Sequence, residues 1–335
     1  QPIIREDVQG FLALANSLPK PERLDPIEQR AGYLGLKQMT EADPREMAAK
    51  YGGPPSRFLL VEGDRAVHIR DEGPRDAPAI VLLHGSNADL HTWEPWVQAL
   101  KGRYRVIRYD QFGHGLTGPH PRGDYTPAAF AETLGQVADK LGLKQFTLAG
   151  NSMGGGIALA YALKHPERLS ALVLVDAAGA PVTQAAKGNI GFTLARMPGI
   201  SWVMGQVTPR ALVERSLRQS VSNQAIVTEA MIDRYWELLR YPGNRQATME
   251  RFATPRVPYT RQQLASLNVP TLVIWGEEDA LIPFAAGQLF AQTIPGAKLV
   301  AYPGIGHLPH EEAAARSAAD LQAFLAAQGI GSKVG

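Results

Sequence analysis

Cysteine is absent from the 335 residues of this sequence. Its absence excludes disulfide bonds, thiolate metal sites and cysteine nucleophiles. An excess of charge of one sign is also missing, because 34 Lys and Arg residues nearly balance 32 Asp and Glu residues and leave a net charge of +2. The charges are scattered and form no basic stripe, which argues against a dedicated nucleic-acid-binding protein. No run of apolar residues approaches the roughly 18 needed for a membrane span.

The composition that remains is typical of a globular protein, with 45% hydrophobic and 20% charged residues. A chain of this length predicts about two domains, or one large α/β domain that carries an insertion. The chain begins at Gln1 rather than Met, as expected if a leader segment has been removed. Together with the missing cysteine, this favours an exported protein, periplasmic or secreted, over a cytoplasmic one.

Four segments follow one another along the chain. Residues 1–55 place short apolar stretches between prolines, which predicts an N-terminal extension of two or three short helices. Residues 56–178 and 266–335 alternate apolar runs with amphipathic segments, which predicts the two parts of one α/β core. Residues 179–265 are helical in tendency and contain no apolar run typical of a buried strand. They predict a helical lid inserted between two core strands.

Eight segments have the pattern of strands, and several are continuous apolar runs typical of strands buried on both faces. They are residues 58–61, 66–69, 79–83, 104–109, 145–149, 171–175, 271–275 and 298–302. A turn at Gly63-Asp64 joins the first two, which predicts a hairpin. The others alternate with helices, so we expect a mostly parallel eight-stranded sheet with helices on both faces.

A G-x-S-x-G motif, Gly150-Asn151-Ser152-Met153-Gly154, stands between a predicted strand and a predicted helix. A turn this sharp strains the backbone at the serine, and glycines on either side avoid steric clashes. The serine hydroxyl is then exposed above the sheet, where it can act as a nucleophile. The alternative is a glycine-rich turn whose serine caps the helix.

A serine needs a base to take its proton, and His307 is the first candidate. It follows the last predicted strand, at the edge of the sheet where catalytic groups of open α/β sheets gather. His310, three residues later, is the alternative base. His84, His114 and His165 are interpreted as side chains that brace loops or lie on the surface.

The imidazole in turn needs a carboxylate to fix its tautomer, and Asp279 is the first candidate. It follows the predicted strand at residues 271–275, so the chain order is Ser152, Asp279, His307. Asp176, which closes the strand at residues 171–175, is the main alternative. Glu278 is a weaker one, and Asp110 is interpreted as a residue that anchors a turn.

Acyl transfer also requires two hydrogen-bond donors for the developing oxyanion. The main-chain N–H of Met153, directly after the serine, is expected to be one. The loop that begins His84-Gly85 is expected to supply the other, through the N–H of Ser86 or alternatively of Asn87. Histidines and carboxylates show no metal-ligand spacing and no phosphate-binding loop is present, so we expect neither a metal nor a cofactor.

Taken together, these residues resemble the α/β-hydrolase superfamily over residues 57–327. The resemblance implies that fold and a serine hydrolase triad. The nucleophile region and His84-Gly85-Ser86 are similar to those of meta-cleavage-product hydrolases, which split carbon–carbon bonds. That group has Trp directly after the catalytic histidine, whereas this sequence has Leu308. Haloalkane dehalogenases and epoxide hydrolases use Asp as nucleophile, where this chain has Ser152.

The sequence therefore predicts a hydrolase that cleaves a small carboxylic ester through an acyl-enzyme on Ser152. Hydrolysis of a carbon–carbon bond or of a lactone is the alternative activity. A catalytically inactive ligand receptor on the same fold is the alternative outside enzymes. Asn87, Trp202, Met204 and Leu308 are expected to line the substrate pocket.

Overall fold

The computed structural model describes residues 40–182, 197 and 205–331. Contacts within the chain separate residues 1–40 from a compact unit of residues 41–335. Most of the predicted N-terminal extension, residues 1–39, lies outside the described residues. Its described remainder forms helix α1 (Pro44–Tyr51), which Asp43 caps by accepting a hydrogen bond from the Arg45 N–H. None of the helices in the described ranges has the length and apolar character required to cross a membrane.

An eight-stranded sheet forms the centre of the fold, in the order β1-β2-β4-β3-β5-β6-β7-β8. The β1–β2 and β2–β4 pairs are antiparallel, and all the other pairs are parallel. This confirms the predicted mostly parallel sheet and its initial hairpin. The strands are β1 (Arg57–Glu62), β2 (Arg65–Glu72), β3 (Ala79–Leu83), β4 (Arg105–Tyr109), β5 (Phe146–Asn151), β6 (Leu169–Val175), β7 (Thr271–Gly276) and β8 (Lys298–Tyr302).

Helices cover both faces of the sheet, as the alternation of strands and helices predicts. Every residue of β3, β5 and β7 is buried, because successive side chains point to opposite faces and both faces are covered. One face packs against α3 (Pro127–Lys140), α4 (Met153–Lys164) and α9 (Phe284–Thr293). The other packs against α2 (Glu94–Leu100) and α11 (Ala314–Ala327).

The chain between β6 and β7 is helical in its described part. It contains α5 (Arg210–Ser220), α6 (Glu229–Leu239), α7 (Asn244–Ala253) and α8 (Arg261–Ala265). Leu217 of α5 and Ile232 of α6 share an apolar cluster with Ala88 and Leu308, which follow β3 and β8. These helices therefore pack against loops at the carboxyl edge of the sheet. Helix α10 (Pro309–Glu312) lies in the same region.

Candidate active site

Ser152 occupies the turn between β5 and α4, with φ 52° and ψ −119°. Positive φ is uncommon for a residue with a side chain and is a form of backbone strain found at functional sites. The turn is held by main-chain hydrogen bonds from Ser152 N to Val175 O (3.0 Å) and from Ala178 N to Ser152 O (2.9 Å). The Ser152 side chain makes no capping hydrogen bond to α4. A capping role therefore does not explain this serine.

The glycines of the motif are required by close backbone contacts around the turn. A Cβ atom on Gly150 would lie 2.2 Å from Gly154 O, and one on Gly154 would lie 2.3 Å from Leu83 O. Either position is too close for a side chain, because the contacting atoms are main-chain atoms that cannot move aside. The two glycines thus let α4 start directly against β3 and β5.

His307 and Asp279 form a buried pair, with 2.7 Å between His307 Nδ1 and Asp279 Oδ2. A carboxylate only accepts, so Nδ1 carries the hydrogen and Nε2 is left as the basic nitrogen. Asp279 Oδ1 accepts hydrogen bonds from Leu281 N (2.7 Å) and Ile282 N (3.0 Å), which fix the carboxylate. Burial acts to raise the pKa of Asp279, but the charge of His307 and hydrogen bonds with His307, Asp176 and Ile282 N outweigh it and lower that pKa.

Asp176 lies directly behind this pair. An oxygen of Asp176, an oxygen of Asp279 and a ring nitrogen of His307 all lie within 4.8 Å of one another. Asp176 is fully buried with φ 46°, and its carboxyl oxygens accept from Gly276 N at 3.2 and 3.3 Å. Burial, and then the charge of Asp279, raise the pKa of Asp176 well above its ordinary value. A hydrogen bond with Asp279 adds to this rise, so the site favours the protonated form of Asp176.

The remaining candidate bases and acids lie elsewhere in the fold. His310 is buried with its Nε2 2.9 Å from Thr92 Oγ1, and burial together with His307 lowers its pKa to about 3. Glu278 is exposed to solvent.

Asp110 accepts from Leu90 N and Leu116 N and thereby holds two loops. His84 braces the turn after β4, where its Nε2 accepts from Gln111 N.

The two expected oxyanion donors lie at the ends of β3 and β5. Gly85 brings the first loop close, because a Cβ there would lie 3.2 Å from the Ser152 Cβ. Within the described ranges, no main-chain oxygen accepts a hydrogen bond from Ser86 N or Met153 N. Asn87, the alternative donor, has φ 61°, so the chain turns sharply here. The assignment of the Ser86 and Met153 N–H groups as the two oxyanion donors stays a prediction.

Two cavities meet at Ser152. The first, of about 120 Å³, lies on the His307 side beneath α5, α6 and α7. The second, of about 400 Å³, lies on the Met153 side and extends towards Tyr259. Ser86, Ser152 and Leu281 line both cavities. A substrate can therefore extend from the serine in two directions.

Two of the four predicted pocket residues, Asn87 and Leu308, line the first cavity. The other two, Trp202 and Met204, lie outside the described residues. Leu308 is 6% exposed and faces the helices of the insertion.

Two arginines of the insertion were missed by sequence reasoning. Arg251 of α7 donates hydrogen bonds to Ser86 Oγ and to Asn87 Oδ1. Arg234 of α6 donates to Asp89 Oδ2 at 3.1 Å. Both contacts join residues more than a hundred positions apart, and no local motif marks either arginine.

A titratable carboxyl lies beside the second of these contacts. Glu311 accepts from Thr92 Oγ1 at 2.8 Å, and burial, only partly offset by Arg234, raises its pKa to about 7. A raised pKa gives stability that is present at low pH and lost as pH rises through about 7. The free energy of unfolding of Glu311→Gln minus that of wild type should therefore increase by roughly 2 to 3 kcal/mol from pH 5 to pH 8. Urea unfolding at both pH values measures this, and an equal difference at both would contradict it.

A family model for the alpha/beta hydrolase fold matches residues 78–314. The chain belongs to the α/β-hydrolase family. A 2-hydroxymuconate semialdehyde hydrolase of Pseudomonas putida is 30% identical over 278 residues, which cover 81% of this chain and 94% of that protein. Lipase 3 of a Moraxella species is 28% identical over 80% of this chain and 83% of its own length.

A solved structure agrees with the fold of this α/β hydrolase. The meta-cleavage product hydrolase from Pseudomonas fluorescens superposes with a TM-score of 0.70 at 22% identity, over 81% of this chain and 97% of that one. These relatives are hydrolytic enzymes with different substrates. The family therefore indicates a hydrolase but does not identify the bond that is cleaved.

Proposed function

We propose that this α/β hydrolase is a serine hydrolase that cleaves a carboxylic ester through an acyl-enzyme on Ser152. The observation that carries the proposal is the geometry of three residues. Ser152 is held at a strained turn, its hydroxyl does not cap the helix, and it lines one cavity with His307. His307 in turn hydrogen-bonds Asp279 at 2.7 Å.

The proposed reaction begins when His307 Nε2 takes the Ser152 proton and Oγ attacks the ester carbonyl. The N–H groups of Met153 and Ser86 then stabilise the oxyanion. The alcohol leaves with the proton returned by His307, and the acyl-enzyme remains. Water, activated by the same histidine, releases the acid and restores the serine.

An ester is favoured over a carbon–carbon bond because of Leu308. The meta-cleavage hydrolases that the sequence resembles have Trp directly after the catalytic histidine. Here Leu308 packs in the apolar cluster with Leu217 and Ile232 and lines the first cavity. An apolar wall next to the base suits an alkyl or aryl group. Carbon–carbon hydrolysis, the activity named for the Pseudomonas putida relative, remains the second candidate.

A labelling and substrate experiment tests the proposal. A fluorophosphonate probe should label the wild-type protein on Ser152, because the probe reacts with activated serines. The protein should then hydrolyse phenyl esters at least about 100-fold faster, by kcat/KM, than a ring-cleavage dienoate. Absence of labelling would support an inactive receptor, and faster turnover of the dienoate or of a lactone would replace the ester assignment.

A further inference from the structure

Arg251 is a buried cation beside the candidate nucleophile. The residue is only 5% exposed, and its two terminal nitrogens donate to Ser86 Oγ and Asn87 Oδ1. A guanidinium has five N–H donors, so these bonds leave three of them for other partners. The Nε atom is buried and has no hydrogen-bond acceptor in the described part of the chain.

No carboxylate neutralises this cation within the described ranges. The charged or titratable groups that act most strongly on it are Arg256 and Tyr125, neither of which is a carboxylate. Burial, and then repulsion from Arg256, lower the pKa of Arg251 to about 9, so the side chain is charged at neutral pH. A buried charge with no counterion among the described residues is costly, which favours an anionic partner at this site.

The second cavity is where that partner fits. Arg251 and Arg256 both line it, together with Ser86 and Ser152, and no acidic residue is among its lining residues. The rest of its wall is mostly apolar and includes the side chains of Phe130, Ile157 and Val257. The cavity therefore combines positive charge with an apolar surface next to the serine.

We propose that Arg251 binds a carboxylate carried by the substrate, which the second cavity holds while the first cavity holds the uncharged part. The proposal rests on the ester hydrolysis proposed above and specifies its substrate class, an ester that carries a free carboxylate. Charge-assisted hydrogen bonds from Arg251 replace the water that the carboxylate loses on entering the cavity. The same contact joins the substrate to Ser86, one of the two oxyanion donors.

Matched pairs of esters test this proposal. 4-Nitrophenyl hydrogen adipate, with its carboxylate on the acyl side, is compared with its methyl ester. 4-Carboxyphenyl butanoate, with its carboxylate on the alcohol side, is likewise compared with its methyl ester, and phenol release is followed in all cases. Wild type should prefer the acid in one pair by roughly 10- to 100-fold in kcat/KM. Arg251→Gln should lower that ratio at least about tenfold, and Arg251→Lys should retain part of it.

The ratio of kcat/KM for the acid to that for its methyl ester isolates the carboxylate contact. Arg251 also holds the Ser86 loop, but activity lost through that loop is lost equally for both esters and cancels in the ratio. Arg261→Gln is the matched control, since Arg261 lies on α8 of the same insertion but is exposed and lines neither cavity. It should leave the ratio unchanged. A wild-type ratio of one or less in both pairs, or an equal ratio in wild type and Arg251→Gln, would overturn the proposal.

Binding without turnover separates this proposal from the proposed function. Calorimetry with Ser152→Ala and monomethyl adipate should give an affinity at least about tenfold higher than with Ser152→Ala/Arg251→Gln. Equal affinities would refute the carboxylate site even if Ser152 proves to be the nucleophile. Undiminished ester hydrolysis by Ser152→Ala would refute the proposed function, while the calorimetric difference would still decide on Arg251.

Discussion

Replacing Ser152 by Ala should lower kcat for 4-nitrophenyl butanoate by about 10⁵- to 10⁶-fold, a loss typical of removing a catalytic serine. The reason is chemical, because alanine has no oxygen to form the acyl-enzyme. The fold should be unaffected, since the side chain makes no capping bond and lines two cavities. We expect the free energy of unfolding to stay within about 1 kcal/mol of wild type. Steady-state kinetics and urea unfolding measure the two quantities.

The partner variant His307→Ala gives a sharper version of the same test. Nucleophile and base act as a unit, so each single variant should lose about as much activity as the double variant Ser152→Ala/His307→Ala. Additive losses would mean that His307 acts on the reaction independently of Ser152. A His310→Ala variant is the control, because His310 is buried against Trp93 and lies 2.9 Å from Thr92. The folded His310→Ala protein should keep most of the wild-type activity.

The second large effect concerns which of two adjacent acids serves the histidine. Asp279→Asn should lower kcat about 10⁴-fold, because the amide favours the wrong tautomer of His307. Asp176→Asn should lower it less than about tenfold at pH 7. An asparagine at position 176 still donates a hydrogen bond to Asp279, as the neutral acid does. Measuring kcat for both variants at one pH decides between the two assignments, and equal losses would contradict ours.

The titration of Asp176 determines in which direction activity and stability change with pH. Because the pKa of Asp176 is raised, Asp176 loses its proton at a higher pH than an ordinary aspartic acid. Its hydrogen bond to Asp279 is then replaced by repulsion, and both activity and stability should decrease on the alkaline side. Asp176→Asn removes this titration and should extend the alkaline limb. Asp176→Ala, which cannot donate, should lose activity at every pH.

The core of this fold is predictable because its strands are buried on both faces. A run such as Ala79–Leu83 has no polar face, and a single chain of such runs separated by helices has few other ways to pack. The G-x-S-x-G motif is predictable for a related reason. Gly150 is required within the turn itself, because a Cβ there would lie 2.2 Å from Gly154 O. Gly154 is required by the neighbouring strand, because a Cβ there would lie 2.3 Å from Leu83 O.

Contacts between distant segments are not predictable in the same way. Asp176 and Asp279 follow the neighbouring strands β6 and β7, so both reach the same edge of the sheet. Sequence patterns make them competing partners for the histidine, whereas the structure places both of them beside His307. Arg251 is harder still, since its role depends on a contact with Ser86 across 165 positions. A lone arginine in a helix is ordinarily a solvated side chain.

The meeting of two cavities at Ser152 also bears on how a reaction cycle ends. In the proposed reaction the alcohol leaves first while the acyl group stays attached to the serine. If the two groups occupy different cavities, water reaches the acyl carbon through the cavity that the alcohol has left. Leu281 lines both cavities, so a substitution at this position is expected to change the rate at which water enters the emptied cavity.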